Sequence, residues 1–302
     1  MKARLVWLVL CGIWGSTWLF IKIGLADLPP LTFAGIRFVV AFLIIATLIK
    51  FRGIEWTLSR RDLLLLAVTG ILSFSLNYGL VFWGEQYITS GLAALLQSTL
   101  SAFGLVVAHL YLPEERMTLP KVGGVILGVI GVGVIFSNQL EVSGTKALWG
   151  SAALVLSALC AAWANVLVKA HGLKLQPSVI AGGQMMFGLV PLLVIGIATE
   201  GNPFYFHWTL RAMLALIYLA VLGSVVAFMS YYWLVQHMEV TKSMTISLVT
   251  PVVAVILGML VLHERLQWRT LLGGAMIISG LGLVVRRKRR IGVPATAETV
   301  PS

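Results

Sequence analysis

The first apolar run of the chain carries an aromatic stripe that ends in a cation. Trp7, Cys11, Trp14 and Trp18 recur at spacings of four, three and four residues, and Lys22 follows four residues later. These spacings place the side chains on one face of an α-helix. Tryptophan rings stack on flat molecules and a lysine meets carboxylates, so this face could line a binding cavity, with Trp14 nearest its middle. Alternatively, Trp7 and Trp18 pack in the interior or belong to an aromatic belt at a membrane interface.

Two cations lie where almost nothing else is charged. Lys22 is close to the end of its run, so its ammonium could reach the membrane surface along its four-carbon stem. Arg37 lies about 10 Å inside the second run, at about 1.5 Å per helical residue. Its burial against a carboxylate, carbonyl groups or a substrate is therefore expected. Glu85, at the end of the third run, is the acid that could pair with either cation, so these three residues are a candidate gate or charge-pairing group.

Polar and aromatic side chains also interrupt the later apolar runs. Buried polar groups must bond to one another or face water. The sequence therefore predicts a wet central cavity. Besides Trp14 and Trp18, its candidate lining residues are Asn77, Tyr78, Trp163, Asn165, Gln184, Tyr231 and Tyr232.

The sequence contains no recognisable set of catalytic residues. Motifs such as H-E-x-x-H, Walker A and G-x-S-x-G are absent. All eleven carboxylates lie at or beyond the ends of the apolar runs, so no acid in the middle of a run suggests an ion relay. We predict no catalytic residues, no metal site and no cofactor.

The composition requires these residues to be positioned by membrane helices. Of 302 residues, 59% are hydrophobic and 11% are charged, whereas a soluble domain is about a quarter charged. The sequence divides into ten apolar runs, most of them near the 20 residues that span a bilayer. Backbone N–H and C=O groups in lipid must form hydrogen bonds within the protein, and this requirement favours helices. The predicted fold is an all-α integral membrane protein with ten transmembrane helices.

The distribution of charge predicts the orientation of these helices. The net charge is +11, which in a soluble protein would suggest binding of nucleic acid. In this apolar chain the expected partner is the lipid bilayer, and no nucleic-acid partner is predicted. With the N-terminus inside, sixteen lysines and arginines fall on the cytoplasmic side and four on the other. The positive-inside rule therefore places both termini in the cytoplasm.

The chain contains an internal duplication. Glu115-Arg116 and Glu264-Arg265 are each followed by glycines at 9, 16 and 18 residues after the glutamate. We predict a five-helix repeat at 1–140, a second at 145–290, and a short cytoplasmic tail at 291–302. Because five is odd, the second repeat is inverted in the membrane, as in many secondary transporters.

Several motifs together resemble the EamA family of the drug/metabolite transporter superfamily. The resemblance covers about residues 5–286 and is carried by Trp14-Gly15-Ser16 through Lys22, Pro29-Pro30, Ala34-Gly35-Ile36-Arg37-Phe38, and the two Glu-Arg pairs. It implies a multi-pass carrier of the inner membrane that exports amino acids, related metabolites or drugs. It also implies a cavity lined by the first four helices of each repeat. Gln184 stands where the first repeat has Arg37, so the roles of Lys22 and Arg37 are not carried over to Lys169 and Gln184.

The functional hypothesis is export of small polar metabolites by alternating access, with a small molecule as substrate. Its efflux direction rests on the resemblance alone, and proton coupling and facilitated diffusion both stay open. The alternative is a structural or regulatory membrane subunit that transports nothing. The sequence gives no oligomeric state.

Overall fold

The computed structural model describes residues 2–113, 117–142, 144–265 and 267–285, and this part of the chain is helical without a β-strand. The predicted Glu115-Arg116 boundary and the tail from residue 286 lie outside the described residues. The α-helices are α1 Lys2–Leu25, α2 Pro30–Phe51, α3 Arg60–Gly70, α4 Tyr78–Glu85, α5 Ser90–Gln97, α6 Leu100–Tyr111, α7 Leu119–Val142, α8 Gly144–His171, α9 Pro177–Glu200, α10 Leu210–Ala220, α11 Ala227–His237, α12 Val240–Met244, α13 Ile246–Val261 and α14 Trp268–Val285.

Eight segments of the described chain are long and apolar enough to cross a membrane. They are α1, α2, α3 with α4, α5 with α6, α8, α9, α10 with α11, and α12 with α13. Leu119–Ile135, within α7, is a shorter apolar helix. The prediction of an all-helical membrane protein is therefore confirmed, whereas the count of ten spans stays a prediction.

Local sequence explains where several of these helices begin. Pro30 and Pro177 open α2 and α9, since a proline lacks the N–H that the first turn would leave unbonded. Ser59 and Asp62 form a reciprocal capping box at the start of α3.

Two π-helical segments interrupt the bundle at matching positions. Ile71–Asn77 joins α3 to α4 and Val221–Val226 joins α10 to α11, and their first residues are 150 positions apart. A π-helix shifts the backbone bonds from i−4 to i−5 and is often found at functional sites. Ser224 Oγ donates to Leu219 O, five residues back, at 2.9 Å.

The two halves of the chain pack against each other along several helix pairs. Helix α1 packs on α13, α2 on α9, and α4 on α8, so each contact joins one half to the other. Helices α7 and α14 lie side by side, and a Cβ on Gly131 would be 2.5 Å from the carbonyl oxygen of Gly273. Because small residues let helices approach closely in lipid, these glycines explain the tight pairing of α7 with α14.

Candidate functional site

A cavity with a volume of about 110 Å³ lies between the two halves. It is bounded by α1, by the segment from the first π-helix through α6, and by α8, α11, α12 and α13. Six of the predicted site residues line it: Trp14, Trp18, Asn77, Tyr78, Asn165 and Tyr231.

Three predicted cavity residues lie elsewhere. Trp163 is 41% exposed and its ring lies 6.2 Å from that of Tyr111, on the outside of the bundle. Gln184 and Tyr232 are fully buried and bonded to each other, with the Tyr232 hydroxyl donating to Gln184 Oε1. The prediction that these three residues line the cavity therefore differs from their observed positions.

One wall of the cavity is aromatic. The ring of Trp14 lies 5.1 Å from that of Tyr231 and 5.5 Å from that of Phe228. Its Nε1 donates to Gly223 O at 3.3 Å, so the second π-segment fixes its orientation. The aromatic wall therefore consists of one edge-packed and one tilted ring pair around Trp14.

A chain of amides forms the polar part of the lining. Gln97 Nε2 donates to Asn77 Oδ1 at 3.1 Å, and Asn77 Nδ2 donates to Ser73 O at 3.1 Å. Ser157 Oγ donates to Gln97 Oε1 at 2.7 Å. Sequence reasoning missed Gln97, although it is an amide within the fourth apolar run.

Helices α12 and α13 contribute hydroxyls that sequence reasoning also missed. Ser243, Ser247 and Thr250 line the cavity, and their spacings of four and three residues indicate one helical face. Ser247 shares a 2.8 Å hydrogen bond with Ser101. The apolar character of the run as a whole concealed this stripe.

Lys22 bonds to main-chain carbonyls. Its Nζ donates to Glu85 O at 2.6 Å and to Ile88 O at 2.7 Å, at the C-terminal end of α4, where carbonyls lack helical partners and attract cations. Lys169 Nζ donates in the same way to Val235 O at 2.6 Å and to Met238 O at 2.9 Å, at the end of α11. We call these two sets of contacts the lysine caps.

Arg37 is fully buried beside the cavity wall. Its Nε donates to Ser224 Oγ at 2.9 Å and its Nη2 to Gly223 O at 3.1 Å. The guanidinium carbon lies 4.9 Å from the centre of the Tyr78 ring, within range of a cation–π interaction. Arg37 thus shares the Gly223 acceptor with Trp14 and supports the aromatic wall from behind.

The predicted charge pairing through Glu85 is absent from the described residues. The ion pairs there join Arg211 to Asp27 and Lys242 to Glu239. Glu85 is fully buried, and neither of its carboxylate oxygens has a hydrogen-bond partner. The physical reason is that Lys22 donates to main-chain carbonyls at a helix end, whereas Arg37 donates to the Gly223 carbonyl and the Ser224 hydroxyl of the π-segment.

Carboxylates close the end of the bundle where α1 meets α2. Glu264 accepts from Ser90 N and Ser90 Oγ, both at 2.8 Å, and Glu200 accepts from Thr32 N at 2.8 Å. Each bond ties a helix end of the second half to a helix start of the first, where acceptors are favoured.

Asp27 provides a further link at the same end. Its Oδ1 accepts from Arg211 Nη2 at 2.5 Å and its Oδ2 from Thr209 Oγ1 at 2.5 Å. Hydrogen bonds from Arg211 and then Thr209 hold the pKa of Asp27 well below its usual range.

The described residues contain no group of three His, Cys, Asp or Glu side chains that could hold a metal ion.

Comparison with known proteins identifies two matches to the model of the "EamA-like transporter family", over residues 1–137 and 148–286.

Curated relatives are named as transporters. The chain is 27% identical to the uncharacterized transporter YoaV of Bacillus subtilis over 89% of this chain and 91% of that protein. It is 30% identical to the uncharacterized inner membrane transporter YedA of Escherichia coli K12 over 82% and 78% of the two chains. With the eight apolar segments, these matches place the chain in the inner (plasma) membrane as a multi-pass protein.

The fold is similar to that of a solved crystal structure. It superimposes with a TM-score of 0.69 at 16% identity, over 94% of this chain and 98% of that one. At this identity the likeness concerns the fold alone.

Proposed function

We propose that this chain, which belongs to the EamA-like transporter family, is a secondary transporter that exports small polar metabolites by alternating access. Amino acids, aromatic compounds and drugs are the substrate classes to test. The proposed architecture has ten spans in two inverted repeats, at 1–140 and 145–290, with the tail 291–302 in the cytoplasm.

The cavity between the halves is the observation that carries this proposal. Its lining combines residues from both halves, such as Trp14 and Asn77 with Asn165 and Tyr231. A site enclosed by two repeats can open to either side of the membrane when the repeats exchange conformations. The aromatic rings and amides of the lining suit a small polar or aromatic molecule.

The repeated structural details support the inverted architecture. The π-segments begin at Ile71 and Val221, and the lysine caps lie at the ends of α4 and α11. The separate family matches to each half support the same arrangement. In an inverted pair these caps lie on opposite sides of the membrane.

The excess of basic residues around α1, α3 and the chain end supports cytoplasmic termini. In this orientation the lysine cap of Lys22 and the Asp27–Arg211 pair face the outside.

Counterflow in proteoliposomes tests the transport function. Purified protein is reconstituted into vesicles loaded with an unlabelled compound, and uptake of the labelled compound is followed for a panel of amino acids, aromatic compounds and drugs. Accumulation above that of empty liposomes for at least one compound is expected. Flux equal to that of empty liposomes across the whole panel favours a non-transporting membrane subunit. An imposed pH gradient then separates proton coupling from facilitated diffusion.

A further inference from the structure

We infer that the cavity selects uncharged, flat molecules that form several hydrogen bonds, such as a substituted nitrogen heterocycle, over amino acids and organic anions. This inference rests on the proposed transport function and narrows its substrate class. It follows from the charge, the hydrogen-bonding groups and the shape of the lining.

Among the residues that the structure describes, the cavity lining contains no ionised partner for a charged substrate. Its 19 residues comprise apolar, aromatic, hydroxyl and amide side chains. An amino acid would bring an ammonium and a carboxylate into this site, and a buried ion without a partner is strongly unfavourable. An uncharged molecule avoids this cost.

The nearest cations are already held by protein groups. Lys22 directs its ammonium to Glu85 O and Ile88 O. Arg37 lies behind the wall, with its Nε and Nη2 donating to the second π-segment. Each cation thus already makes two hydrogen bonds from a charged donor, which are among the stronger bonds in proteins, and neither side chain lines the cavity.

Several backbone amides at the helix breaks are already hydrogen-bonded within the chain. In some transporters, broken helices direct free N–H groups at the carboxylate of the substrate. Here Ser98 N donates to Ala94 O at 3.1 Å, Thr99 N to Leu96 O at 3.1 Å, and Thr245 N to Lys242 O at 3.2 Å. The amides of Ser98, Thr99 and Thr245 at the breaks between α5 and α6 and between α12 and α13 are thus bonded within the chain.

One lining group does call for a partner. The hydroxyl of Tyr231, in a residue that is 3% exposed, lies within interaction range of the Ser243 hydroxyl but makes no hydrogen bond of normal geometry. Buried polar groups are rarely left without a hydrogen bond. A ligand nitrogen or oxygen that reaches the Tyr231 hydroxyl would supply this bond. The amides of Asn77 and Gln97 keep further N–H groups, because each NH₂ has two hydrogens and uses one in the amide chain.

Shape and size favour a flat ligand. The rings of Trp14 and Tyr231 pack on each other with centres 5.1 Å apart, so a flat ligand would stack on the surface that they present to the cavity and not between them. The volume of about 110 Å³ corresponds to roughly 7 to 11 water molecules, at about 10 to 15 Å³ of probe-occupied volume each. This is room for one or two fused rings.

Binding to a charge-matched pair of probes tests the inference. Nicotinamide and nicotinate share a ring and differ chiefly in the charge of one substituent. Isothermal titration of the full chain in lipid nanodiscs measures both at pH 7.5, with adenine as a second uncharged probe and phenylalanine as the zwitterion. We expect nicotinamide or adenine to bind at least about tenfold more tightly than nicotinate and phenylalanine, because each factor of ten needs only about 1.4 kcal/mol.

A variant pair locates the site. Tyr231→Phe should weaken binding of the uncharged probe about fivefold, the loss of one neutral hydrogen bond, without lowering the folded yield. Trp163→Phe, on the outside of the bundle, is the matched control and should leave binding unchanged. An unchanged affinity in Tyr231→Phe would overturn the assigned site.

The outcomes separate this inference from the transport function. Equal or tighter binding of nicotinate or phenylalanine, or failure of both uncharged probes to bind at millimolar concentration, overturns the proposed selectivity. Counterflow of an amino acid would then still support a carrier. Absence of flux for every compound, with nicotinamide bound as expected, contradicts the transport function instead.

Discussion

Equivalent positions in the two halves use the same contact in one case and different contacts in another. Lys22 and Lys169 both donate to two carbonyl groups at a helix end, and their acceptors are 150 residues apart in each case. Arg37 and Gln184 both lie seven residues after the proline that opens α2 or α9. Yet Arg37 bonds to the second π-segment, whereas Gln184 bonds to Tyr232.

This comparison separates contacts that are the same in both halves from contacts that differ between them. A lysine cap needs only main-chain oxygens, so it survives when the surrounding side chains change. Arg37 bonds to Ser224 Oγ and Gly223 O, whereas Gln184 bonds to the Tyr232 hydroxyl, so these two positions have different partners. We therefore expect removal of either lysine cap to lower the free energy of unfolding by a similar amount. Substitution of Arg37 in α2 and of Gln184 in α9 should lower it by different amounts.

Truncation of Arg37 should have the largest effect and sharpen this asymmetry. Arg37→Ala removes a fully buried side chain and leaves a void, so the free energy of unfolding should fall by about 3 kcal/mol. Gln184→Ala leaves the Tyr232 hydroxyl unbonded and should cost about 1 to 2 kcal/mol. Unfolding of both variants in detergent measures the difference, and equal losses would remove the asymmetry.

Removal of the lysine caps tests the symmetric part of the comparison. Lys22→Met and Lys169→Met should each lower the free energy of unfolding by about 2 kcal/mol, the scale of hydrogen bonds to a charged group. Lys50→Met, at an exposed position of α2, is the control and should change it by under about 0.5 kcal/mol. A loss at one cap that is more than twice that at the other would argue against equivalence.

Crowding the contact between α7 and α14 tests the pairing of the two last helices. A Cβ on Gly131 would be 2.5 Å from Gly273 O, whereas one on Gly133 meets nothing within 4 Å. Gly131→Val should lower the free energy of unfolding by about 1.5 kcal/mol more than Gly133→Val does, since overpacking typically costs about 1 to 3 kcal/mol. Equal thermal stability of the two variants would show that α7 and α14 do not pack in this way.

The smallest effect concerns the Asp27–Arg211 link between the halves, and it depends on pH. Because the pKa of Asp27 is lower in the folded state, its stabilisation is complete above about pH 4, the ordinary value for Asp. It is lost as the pH falls further. The stability difference between the wild type and Asp27→Asn should therefore be constant at neutral pH and shrink in acid. A difference that grows in acid would contradict this assignment.

The sequence predicted the helices and part of the cavity, because hydropathy and helical spacing depend on few long-range details. Trp14 and Asn77 could be identified as polar or aromatic groups within apolar runs. The facing direction of a helix was harder to predict. Trp163 and Asn165 are two residues apart, about 200° around a helix with 3.6 residues per turn, so they cannot face the same cavity.

The partners of the charged residues required the structure. Lys22 and Arg37 bond mainly to carbonyl groups, which every residue possesses, so no side-chain pattern marks them as acceptors. The π-segments that expose Gly223 O also lack a clear pattern in the sequence. Pairing with Glu85 was the natural prediction because only side-chain charges can be counted from a sequence.

Accessibility of the cavity from the two sides of the membrane tests alternating access most directly. Thr250→Cys, in a background with Cys11→Ala and Cys160→Ala, places a thiol on the cavity wall. A membrane-impermeant thiol reagent is then added to either side of oriented vesicles, with and without a bound ligand. We predict labelling from both sides in separate experiments, with the ligand increasing labelling from one side and decreasing it from the other. Labelling from neither side, or from the same single side under every condition, would contradict alternating access through this cavity.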